Sequence, residues 1–543
     1  MGTAGATFSQ DPFSEDRSLG CCSQDVVPAS LVEQMEVEQM DEFATLQLEL
    51  AERWQPIDVF DRRPRQIVVV PSLSLDQAEL MKIKGVHHYE ERLLFSLIRL
   101  RNPETRLIYV TSQPLHPSIV DYYLELLPGI PSSHARDRLD LFATYDSSLK
   151  PLSEKILARP RLIRRIREKI KPAEAYMTCY NSTELEQALS LALGLPLLAV
   201  NPDLLYWGTK GGSRQIFTEC KLPLPDGSDL THDIDTLSDA TAALWERQPG
   251  LKRIVIKLNE GFSGEGNALF SLAALAQVAP GKANHDERVA AIKAELPKLR
   301  FQCNSETWAS FRQKIEVLGA IAEAFIEGEE KYSPSVQGRV TPHGEVEILS
   351  THDQVLGGPD GQIFLGCTFP AAESYRMALQ EMGRKVGENL AAKGALERYS
   401  VDFIAVHQPE NAEQPWQLNA IEINLRKGGT THPFMALKLL TNGTYSLKDG
   451  KFYTKNGQAK YYRASDNLQS EAYRGLLPND LMDIIMVEQL HFSSIDGVGV
   501  VFHLMGCLSE YGKLGLTCIG NTPQEAEDIY EQVVAAIDRA TCQ

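Results

Sequence analysis

The sequence predicts an α/β protein built from several domains. Its 543 residues exceed the length that one hydrophobic core usually serves. Residues 55–200 alternate short apolar runs with helical patterns, which favours a mainly parallel sheet. Residues 201–440 mix helices with longer antiparallel strands, and residues 441–543 read as a small α+β module. The segment 1–54 is acidic, begins with a composition typical of disorder, and becomes helix-prone from Leu31.

Four apolar strands define the first of these domains. We predict strands at residues 66–70, 107–110, 139–142 and 175–180, with helices at residues 89–100 and 118–127. A further helix begins after the capping sequence at residues 181–184 and carries Leu189 and Leu193 on its apolar face. No Gly-x-Gly-x-x-Gly turn follows the first strand, so a dinucleotide site is not indicated.

Two local signals organise the C-terminal module. Asp449-Gly450 lies between alternating strands within residues 445–453 and predicts a hairpin. Near the end, Thr522 is an N-cap, Pro523 occupies the first turn, and Glu525 completes a capping box. The helix that follows places apolar residues on one face.

The charge balance limits the classes of partner. With 54 basic and 72 acidic residues the net charge is −18, which disfavours general nucleic-acid binding. The basic run at residues 159–171 is the exception. It reads as a patch for nucleic acid or anionic lipid, or, in the interpretation we favour, as one solvated helix face with Leu162, Ile163 and Ile166 turned inward.

Cysteine usage and the N-terminus indicate a cytoplasmic protein. The 9 cysteines include no CxxC pair, and an odd number without metal-ligand spacing predicts free thiols in a reducing compartment. No apolar run reaches membrane-spanning length, and no signal-peptide core is present. Met1-Gly2 begins a myristoylation motif, but Ala6 stands where that motif requires Ser or Thr.

The strand Gln417 to Arg426 carries the most informative chemistry. Side chains alternate along a strand, so Glu422, Asn424 and Arg426 point to one face. A carboxylate, an amide oxygen and a guanidinium suit a hard cation and an anionic oxygen, although a solvated strand face is the simpler alternative. The preceding strand, residues 399–406, carries Asp402, and a hairpin would bring it near Glu422 and Asn424. The three oxygen ligands predict a Mg²⁺ site.

Two lysines stand before glycine-rich segments upstream. Lys257 ends an apolar strand and runs into a loop with Gly261, Gly264 and Gly266. Glycines let backbone N–H groups approach a phosphate, and the lysine adds a positive charge; a hairpin without a ligand is the alternative. Lys210 precedes Gly211-Gly212 and a helix. Alone, it reads as an ordinary surface lysine.

An acidic segment follows these lysines. Glu323 and Glu330 flank an apolar pair, Phe325-Ile326, after an amphipathic helix that carries Phe311 and Ile315. An extended backbone here could bond an adenine edge, and a later carboxylate could accept from ribose hydroxyls. A connector with exposed acids is the alternative.

The order of these parts resembles the ATP-grasp superfamily, most closely the pheganomycin-type peptide ligases. The resemblance extends over residues 356–358 and 369–371 and into the module around residues 497–503. It implies that residues 55–200 form a pre-ATP-grasp α/β domain, that residues 201–440 form the two-lobed ATP-grasp fold with ATP between the lobes, and that residues 441–543 are a ligase-associated module.

For the cofactor, the resemblance implies ATP. Lys210 and Lys257 would contact the α and β phosphates, while Gly264 and Gly266 would let the loop close over them. Glu323 and the backbone around Ile326 would hold adenine.

Glu330 would hold the ribose. Asp402, Glu422 and Asn424 would hold Mg²⁺, one or two ions, with Mn²⁺ as a substitute. Arg426 would face the acyl phosphate and, with Lys257, act on the reacting groups. D-alanine–D-alanine ligases carry an Arg two positions before the metal Asp, and Ser400 stands there in this chain.

The function implied is ATP-dependent amide formation from a carboxylate and an amine, through an acyl phosphate. The expected partners are small molecules, an amino acid or a peptide, with no nucleic acid or membrane and with a homo-oligomer left open. The alternatives are a kinase-like or carboxylase-like ATP-grasp enzyme and a non-catalytic ATP-binding regulator. Such chemistry requires no Ser-His-Asp or Cys-His set, so His432 and His503 are predicted to be structural, His432 being the better candidate for substrate contact.

Overall fold

Three sheets organise the chain. The computed structural model describes residues 29–54, 63–261, 266–302, 306–357 and 363–541. Within these ranges the strands form a four-stranded parallel sheet, a four-stranded antiparallel sheet and an eleven-stranded sheet. No helix in the described ranges is both long enough and apolar enough to cross a membrane.

The first sheet is parallel, as the alternating pattern predicts. Its strands are β1 (Arg65–Val70), β2 (Thr105–Thr111), β3 (Leu139–Ala143) and β4 (Ala175–Cys179), in the order β3-β2-β1-β4. All four predicted strands are confirmed. Apolar residues such as Val68 and Ile108 are fully buried, since helices cover the sheet.

The helices of this region are short except for α1, which has 25 residues. They are α1 (Ala29–Arg53), α2 (Gln77–Lys82), α3 (Pro117–Glu125), α4 (Ser132–Arg136), α5 (Leu152–Leu157), α6 (Pro160–Arg167) and α7 (Glu184–Leu193). The helix predicted at residues 89–100 is a 3-10 helix, Val86–Arg101. Thr183 caps α7 in a capping box with Glu186. In α6, Leu162 and Ile166 are buried, Ile163 is half-buried and the arginines are exposed, so the predicted inward apolar face is confirmed and the basic face is open to solvent.

Helix α1 packs onto the first domain. The Gln47 side chain donates to the Leu197 carbonyl and accepts from the Leu197 amide, each at 2.9 Å. Phe43 and Leu50 on the inner face of the helix, and Trp54 directly after it, are buried. The helix-prone part of the acidic segment is therefore part of the folded protein.

The second sheet is small and antiparallel. It contains β5 (Arg253–Leu258), β6 (Asn267–Ser271), β7 (Arg300–Phe301) and β8 (Ala320–Ala324), in the order β7-β6-β5-β8. The associated helices are α8 (Lys210–Glu219), α9 (Ile234–Arg247), α10 (His285–Glu295) and α11 (Trp308–Leu318), with 3-10 turns at Pro202–Gly208, Ala273–Val278 and Leu296–Lys298. Phe311 and Ile315 of α11 pack against Ile254 and Ile256 in one apolar core.

The third sheet is formed by strands from the second half of the chain. Its strands are β9 (Lys331–Tyr332), β10 (Pro334–Val340), β11 (Val346–Gly357), β12 (Ile363–Phe369), β13 (Glu397–His407), β14 (Trp416–Asn424), β15 (Thr444–Ser446), β16 (Lys451–Tyr453), β17 (Ala459–Gln469), β18 (Gly499–His503) and β19 (Lys513–Gly520). The path runs β14-β13-β10-β11-β12-β17-β16-β15. Because β12 pairs with β17, the C-terminal strands extend the same sheet.

The remaining helices flank this sheet. They are α12 (Arg376–Ala392), α13 (Thr431–Thr441), α14 (Pro478–Val487), α15 (Leu508–Tyr511) and α16 (Pro523–Thr541), with 3-10 turns at Glu471–Tyr473 and Met505–Cys507. The predicted hairpin is confirmed as β15 and β16. The predicted N-cap of α16 is also confirmed, since Thr522 Oγ1 accepts from the Glu525 amide at 3.0 Å. The predicted capping box is not formed, because the Glu525 carboxylate accepts from the Asn521 amide at 2.6 Å instead of from Thr522.

One apolar core unites distant parts of the chain. Ile67 of β1, Leu437 of α13 and Phe502 of β18 are all buried in it. The first domain and the C-terminal strands are therefore packed together around α13. The five cysteines in the described ranges are free thiols, in line with the sequence prediction.

We predict that Glu90 makes stability depend on pH. Its carboxylate accepts from the Ser112 hydroxyl and amide, each at 2.6 Å, and burial raises its pKa from 4.5 to about 7. Between these values the folded protein binds a proton that the unfolded chain does not. Stability therefore falls as pH rises from about 4.5 to above 7, by up to about 3 kcal/mol.

Urea unfolding of the wild type and Glu90→Gln at pH 5 and pH 8 tests this expectation. The variant should lose less stability than the wild type over this interval. The exposed Glu104→Gln is the matched control and should behave as the wild type does. Equal pH dependence in wild type and Glu90→Gln would contradict the assignment.

Candidate active site

A cavity of about 810 Å³ lies where the three sheets meet. One end is lined from the second sheet by Val255, Lys257 and Glu323, and from the third sheet by Asp402 and Glu422. The other end is lined by residues of the first domain and the C-terminal strands, namely Lys82, Lys84, Tyr89, Arg92, Tyr180, Asp466, Asn467, Gln469 and Lys513. The cavity therefore has room for more than one small molecule.

Strands β13 and β14 place two carboxylates face to face. Asp402 lies directly opposite Glu422, and Ser400 lies opposite Asn424. Asp402 Oδ1 accepts from Gln354 Nε2 at 2.8 Å, and its Oδ2 accepts from Asn424 Nδ2 at 3.1 Å. The three predicted metal ligands are thus brought together on one wall of the cavity.

The electrostatics of this wall favour a cation. Burial and, after it, the negative charge of Glu422 raise the pKa of Asp402, Arg426 and Lys210 oppose the rise, and the net pKa is about 7. A divalent cation would stabilise both ionised carboxylates. Oxygen donors from two carboxylates and one amide are the ligands that Mg²⁺ prefers, so these residues fit such an ion.

Lys210 is held at the start of α8. Thr209 caps the helix by accepting from the Gly212 amide at 3.1 Å. Asn259 accepts from the Lys210 amide through its carbonyl and from the Gly211 amide through Oδ1, each at 3.0 Å. A Cβ on Gly212 would lie 2.0 Å from the Tyr206 carbonyl oxygen, so only glycine fits there. With the first turn of α8 held in this way, Lys210 Nζ lies 2.5 Å from Glu422 Oε1.

Lys257 is held by a buried carboxylate. Glu323 lies opposite Val255 on the neighbouring strand and forms an ion pair with Lys257. Arg214 Nη1 of α8 is 2.6 Å from the other oxygen of Glu323. Burial would raise the pKa of Glu323, but Lys257 and Arg214 together lower it. Glu323 is therefore an ionised partner of two cations. The sequence predicted that it would hold adenine and did not predict these two ion pairs.

The segment after β8 forms an apolar part of the wall. Phe325 and Ile326 line the cavity, with the Arg253 guanidinium 3.9 Å from the centre of the Phe325 ring. Lys331 Nζ donates to the Ile326 carbonyl at 3.0 Å. Glu330 is not among the lining residues: its carboxylate accepts from Tyr332 at 3.3 Å and lies 3.1 Å from His407 Nδ1.

The other predicted residues lie at the ends of these elements. Arg426 lines the cavity beyond Asn424, and its Nη1 donates to the Lys427 carbonyl at 3.3 Å. Gly266 accepts from the Leu258 amide at 2.9 Å, which closes the base of the hairpin. Gly264 lies outside the described residues.

The structure shows a charged network at the far end of the cavity that the sequence did not predict. Arg92 Nη2 is 2.7 Å from Asp466 Oδ2, and Arg92 Nη1 donates to Tyr180 at 3.0 Å. Nε2 of His503 and Nε2 of His432 each lie 2.8 Å from Asp466 Oδ1. Arg92 and Asp466 are 374 positions apart, and neither belongs to a motif, so no local signal could have paired them.

Comparisons with known proteins agree with this arrangement. A family model described as IQCH-like, ATP-grasp matches residues 204–448, and a model described as PGM1 C-terminal domain matches residues 480–533. The L-propargylglycine--L-glutamate ligase of Streptantibioticus cattleyicolor is 27% identical over 487 residues, which cover 87% of this chain and 93% of that protein. IQ motif-containing protein H of Danio rerio is 25% identical over 450 residues, 76% of this chain and 42% of that protein.

A solved structure shows the same fold. The biotin carboxylase domain of Hydrogenobacter thermophilus 2-oxoglutarate carboxylase, determined with MgADP, ADP and bicarbonate, superposes with a TM-score of 0.51. The match is 12% identical and covers 87% of this chain and 90% of that chain. At this identity the similarity concerns the fold alone.

We predict that Glu323→Gln destabilises the protein by about 3–5 kcal/mol. The substitution leaves Lys257 and Arg214 without a buried counter-charge, and removing one partner of a buried ion pair is costly. Urea unfolding followed by tryptophan fluorescence measures the effect.

The matched control is Glu327→Gln. Glu327 also pairs with an arginine, Arg253, at 2.6 Å, but its side chain is 46% exposed. That variant should lose less than about 1 kcal/mol because exposed ion pairs contribute little. Equal losses in the two variants would contradict the anchoring role of Glu323.

Proposed function

We propose that this chain, a member of the ATP-grasp superfamily, is an ATP-dependent carboxylate–amine ligase that releases ADP and phosphate. The observation that carries the proposal is the cavity that combines the Asp402, Glu422 and Asn424 oxygens with Lys257. Lys210 is not itself a lining residue but contacts Glu422 from behind this wall. The far end of the cavity offers further charged groups, among them Lys84 and Lys513, for the molecules to be joined.

In this proposal the nucleotide lies between the second and third sheets. Lys210 and Lys257 contact its phosphates from opposite sides, and Glu323 orients Lys257. The adenine packs by the wall formed by Phe325 and Ile326. Its ribose hydroxyls point toward Glu330, which would exchange its contact with His407 for them.

The metal site follows from the oxygen donors. Asp402, Glu422 and Asn424 would hold one or two divalent cations, Mg²⁺ or in its place Mn²⁺. Such ions neutralise phosphate charge and fix the phosphates in position. Lys210 then exchanges its contact with Glu422 for a phosphate oxygen, which keeps the local charge balanced.

The reaction needs no protein nucleophile. The substrate carboxylate attacks the γ-phosphorus of ATP, the bond to the β-phosphate oxygen breaks, and an acyl phosphate and ADP result. The amine then attacks the acyl carbon, inorganic phosphate leaves, and the amine loses a proton. Arg426 faces the transferred phosphoryl group and offsets its charge. Catalysis of this kind rests on positioning and charge neutralisation.

An amino acid or short peptide is the substrate class we propose. The relative from Streptantibioticus cattleyicolor is named for joining two amino acids. The far end of this cavity presents Lys84 and Lys513 for a substrate carboxylate, while Arg92 and Asp466 are paired with each other. Cationic groups of this kind suit the carboxylate end of an amino acid or peptide.

A phosphate-release screen tests the function. Purified protein with ATP and Mg²⁺ is offered amino acids and peptides singly and in pairs, and the products are identified by mass spectrometry. A ligase releases phosphate only when its carboxylate substrate and its amine substrate are both present, and one amino acid alone suffices only if mass spectrometry shows that it couples to itself. Turnover that requires bicarbonate, or phosphate transfer to a single acceptor, indicates a carboxylase-like or kinase-like enzyme instead. ATP binding without turnover in any mixture indicates a regulator.

We predict that Glu422→Gln lowers ATP turnover at least about 100-fold while the protein remains folded. Losing one carboxylate ligand forfeits several kcal/mol of charge stabilisation. Turnover is measured as ADP release and folding by circular dichroism.

Glu410→Gln is the matched control, since Glu410 lies exposed in the loop that joins the same two strands. It should keep wild-type turnover. Near-normal turnover in Glu422→Gln would contradict the assignment of Glu422 as a metal ligand.

A further inference from the structure

A second group of cationic side chains lies outside the active-site cavity. It gathers where the first domain, α1, α13 and the third sheet meet. Its members are Arg99, Arg339, Arg398, Lys427 and Lys438, here termed the cationic cluster. None of them lines the cavity described above. Neither the motifs nor the proposed reaction gives them a role.

The sheet itself forces two of these cations together. Arg339 of β10 lies directly opposite Arg398 of β13 in the strand register. Like charges in directly opposed positions destabilise a sheet. Arg398 is only 8% exposed, so water does little to screen the repulsion. Arg339 has a partner, Glu347, at 2.7 Å from its Nε.

Two more cations come from helices above the sheet. Arg99 lies in the last turn of the 3-10 helix Val86–Arg101, which packs against α13, where Lys438 is in the last turn. Burial and, after it, the positive charges of Arg339, Arg398 and Arg99 together lower the pKa of Lys438 to about 8. Four cations from four elements therefore act on one another at short range.

Hydrogen-bond donors in the cluster exceed the acceptors. Nε and Nη1 of Arg398 are buried and make no hydrogen bond. The Arg99 and Lys438 side chains form no hydrogen bond or ion pair with any residue that the structure describes. Trp54 Nε1 is also buried without an acceptor, and its ring lies 5.7 Å from the Arg339 guanidinium.

The nearby carboxylates do not balance these charges. Glu397 Oε1 is 3.7 Å from Arg398 Nε and 3.9 Å from Lys427 Nζ, which is longer than a charged hydrogen bond. Glu347 is committed to Arg339. Lys427 is satisfied in part, because its Nζ donates to Thr178 Oγ1 at 3.0 Å and to the Cys179 carbonyl at 2.7 Å. Two carboxylates still face five cations, and the charge of Arg398, buried with two unsatisfied donors, is strongly unfavourable.

We propose that the cationic cluster binds a small multivalent oxyanion of the phosphate or polycarboxylate class. Guanidinium groups bind such oxygens with paired, charge-assisted hydrogen bonds, and the orphaned donors of Arg398 supply them. Arg99 and Lys438 are partly exposed, so the anion enters from their side. The inference does not depend on the proposed ligase reaction, because no residue is shared with that site.

The bound anion would act on the arrangement of the elements around it. It would join β10, β13, α13 and the first domain through salt links. Lys427 adjoins Arg426 of the active site, and Arg398 precedes Asp402 on the same strand. Occupation of the cationic cluster would therefore stabilise the strand pair that carries the proposed metal ligands.

Thermal unfolding with inorganic pyrophosphate and with citrate tests the proposal. Each anion is titrated at constant ionic strength, set with NaCl and without Mg²⁺. We expect a rise in Tm of at least about 2 °C at saturation. If only pyrophosphate raises the Tm, the ligand belongs to the phosphate class. If citrate raises it as well, the cluster recognises the negative charge that phosphates and carboxylates share. No rise beyond that in NaCl would overturn the proposal.

Three variants locate the effect. Arg398→Gln should abolish the rise without lowering the Tm in NaCl, since it removes an uncompensated charge. Lys438→Gln, at a partly exposed position, should weaken the rise and serves if Arg398→Gln fails to fold. The exposed Arg384→Gln should respond as the wild type does.

Lys257→Gln separates the cationic cluster from the active site. The rise should persist in this variant because Lys257 belongs only to the cavity. A rise that is lost in Lys257→Gln and kept in Arg398→Gln would place the anion at the nucleotide phosphates and overturn the proposal.

Discussion

The register between β13 and β14 is the constraint on which the active site depends. It sets Asp402 directly opposite Glu422, and a carboxylate pair in such a position repels. Burial first, and then this repulsion, raises the pKa of Asp402. Lys210 from α8 and Gln354 from β11 converge on the pair and partly offset it. The repulsion that remains favours the binding of a divalent cation there.

Helix α8 transmits this constraint to the second sheet. Ser213 accepts from the Ile423 amide at 3.0 Å, which fixes α8 against the strand that carries Glu422. At the same time Asn259 holds the first turn of α8, and Arg214 reaches Glu323 on β8. The two lysines proposed for the phosphates are therefore positioned through one helix. A displacement of the second sheet would move both contacts together.

Sequence reasoning succeeded where the determinants are local. The four parallel strands, the β15–β16 hairpin and the cap of α16 each follow from periodicity or turn residues within a short segment. It did not reveal that Arg214 binds Glu323, because 109 positions separate the two residues. Nor did it reveal that β12 pairs with β17, since strand pairing across the chain leaves no periodic signal. The proximity of Asp402 and Glu422 was predictable because a hairpin links their strands.

The cationic cluster shows why long-range charge placement carries information that composition hides. The chain as a whole is strongly acidic, with a net charge of −18, and yet it gathers five cations at one junction, with Arg398 and Lys427 buried and the others partly exposed. Buried ions are rarely the most stable choice, because apolar residues of similar size often stabilise the fold more. Arg339 and Arg398 would also be poor partners in any sheet built for stability alone. Their arrangement is better explained by the binding of an anion than by stability. The unsatisfied donors of Arg398 would then bond to the acceptor oxygens of that anion.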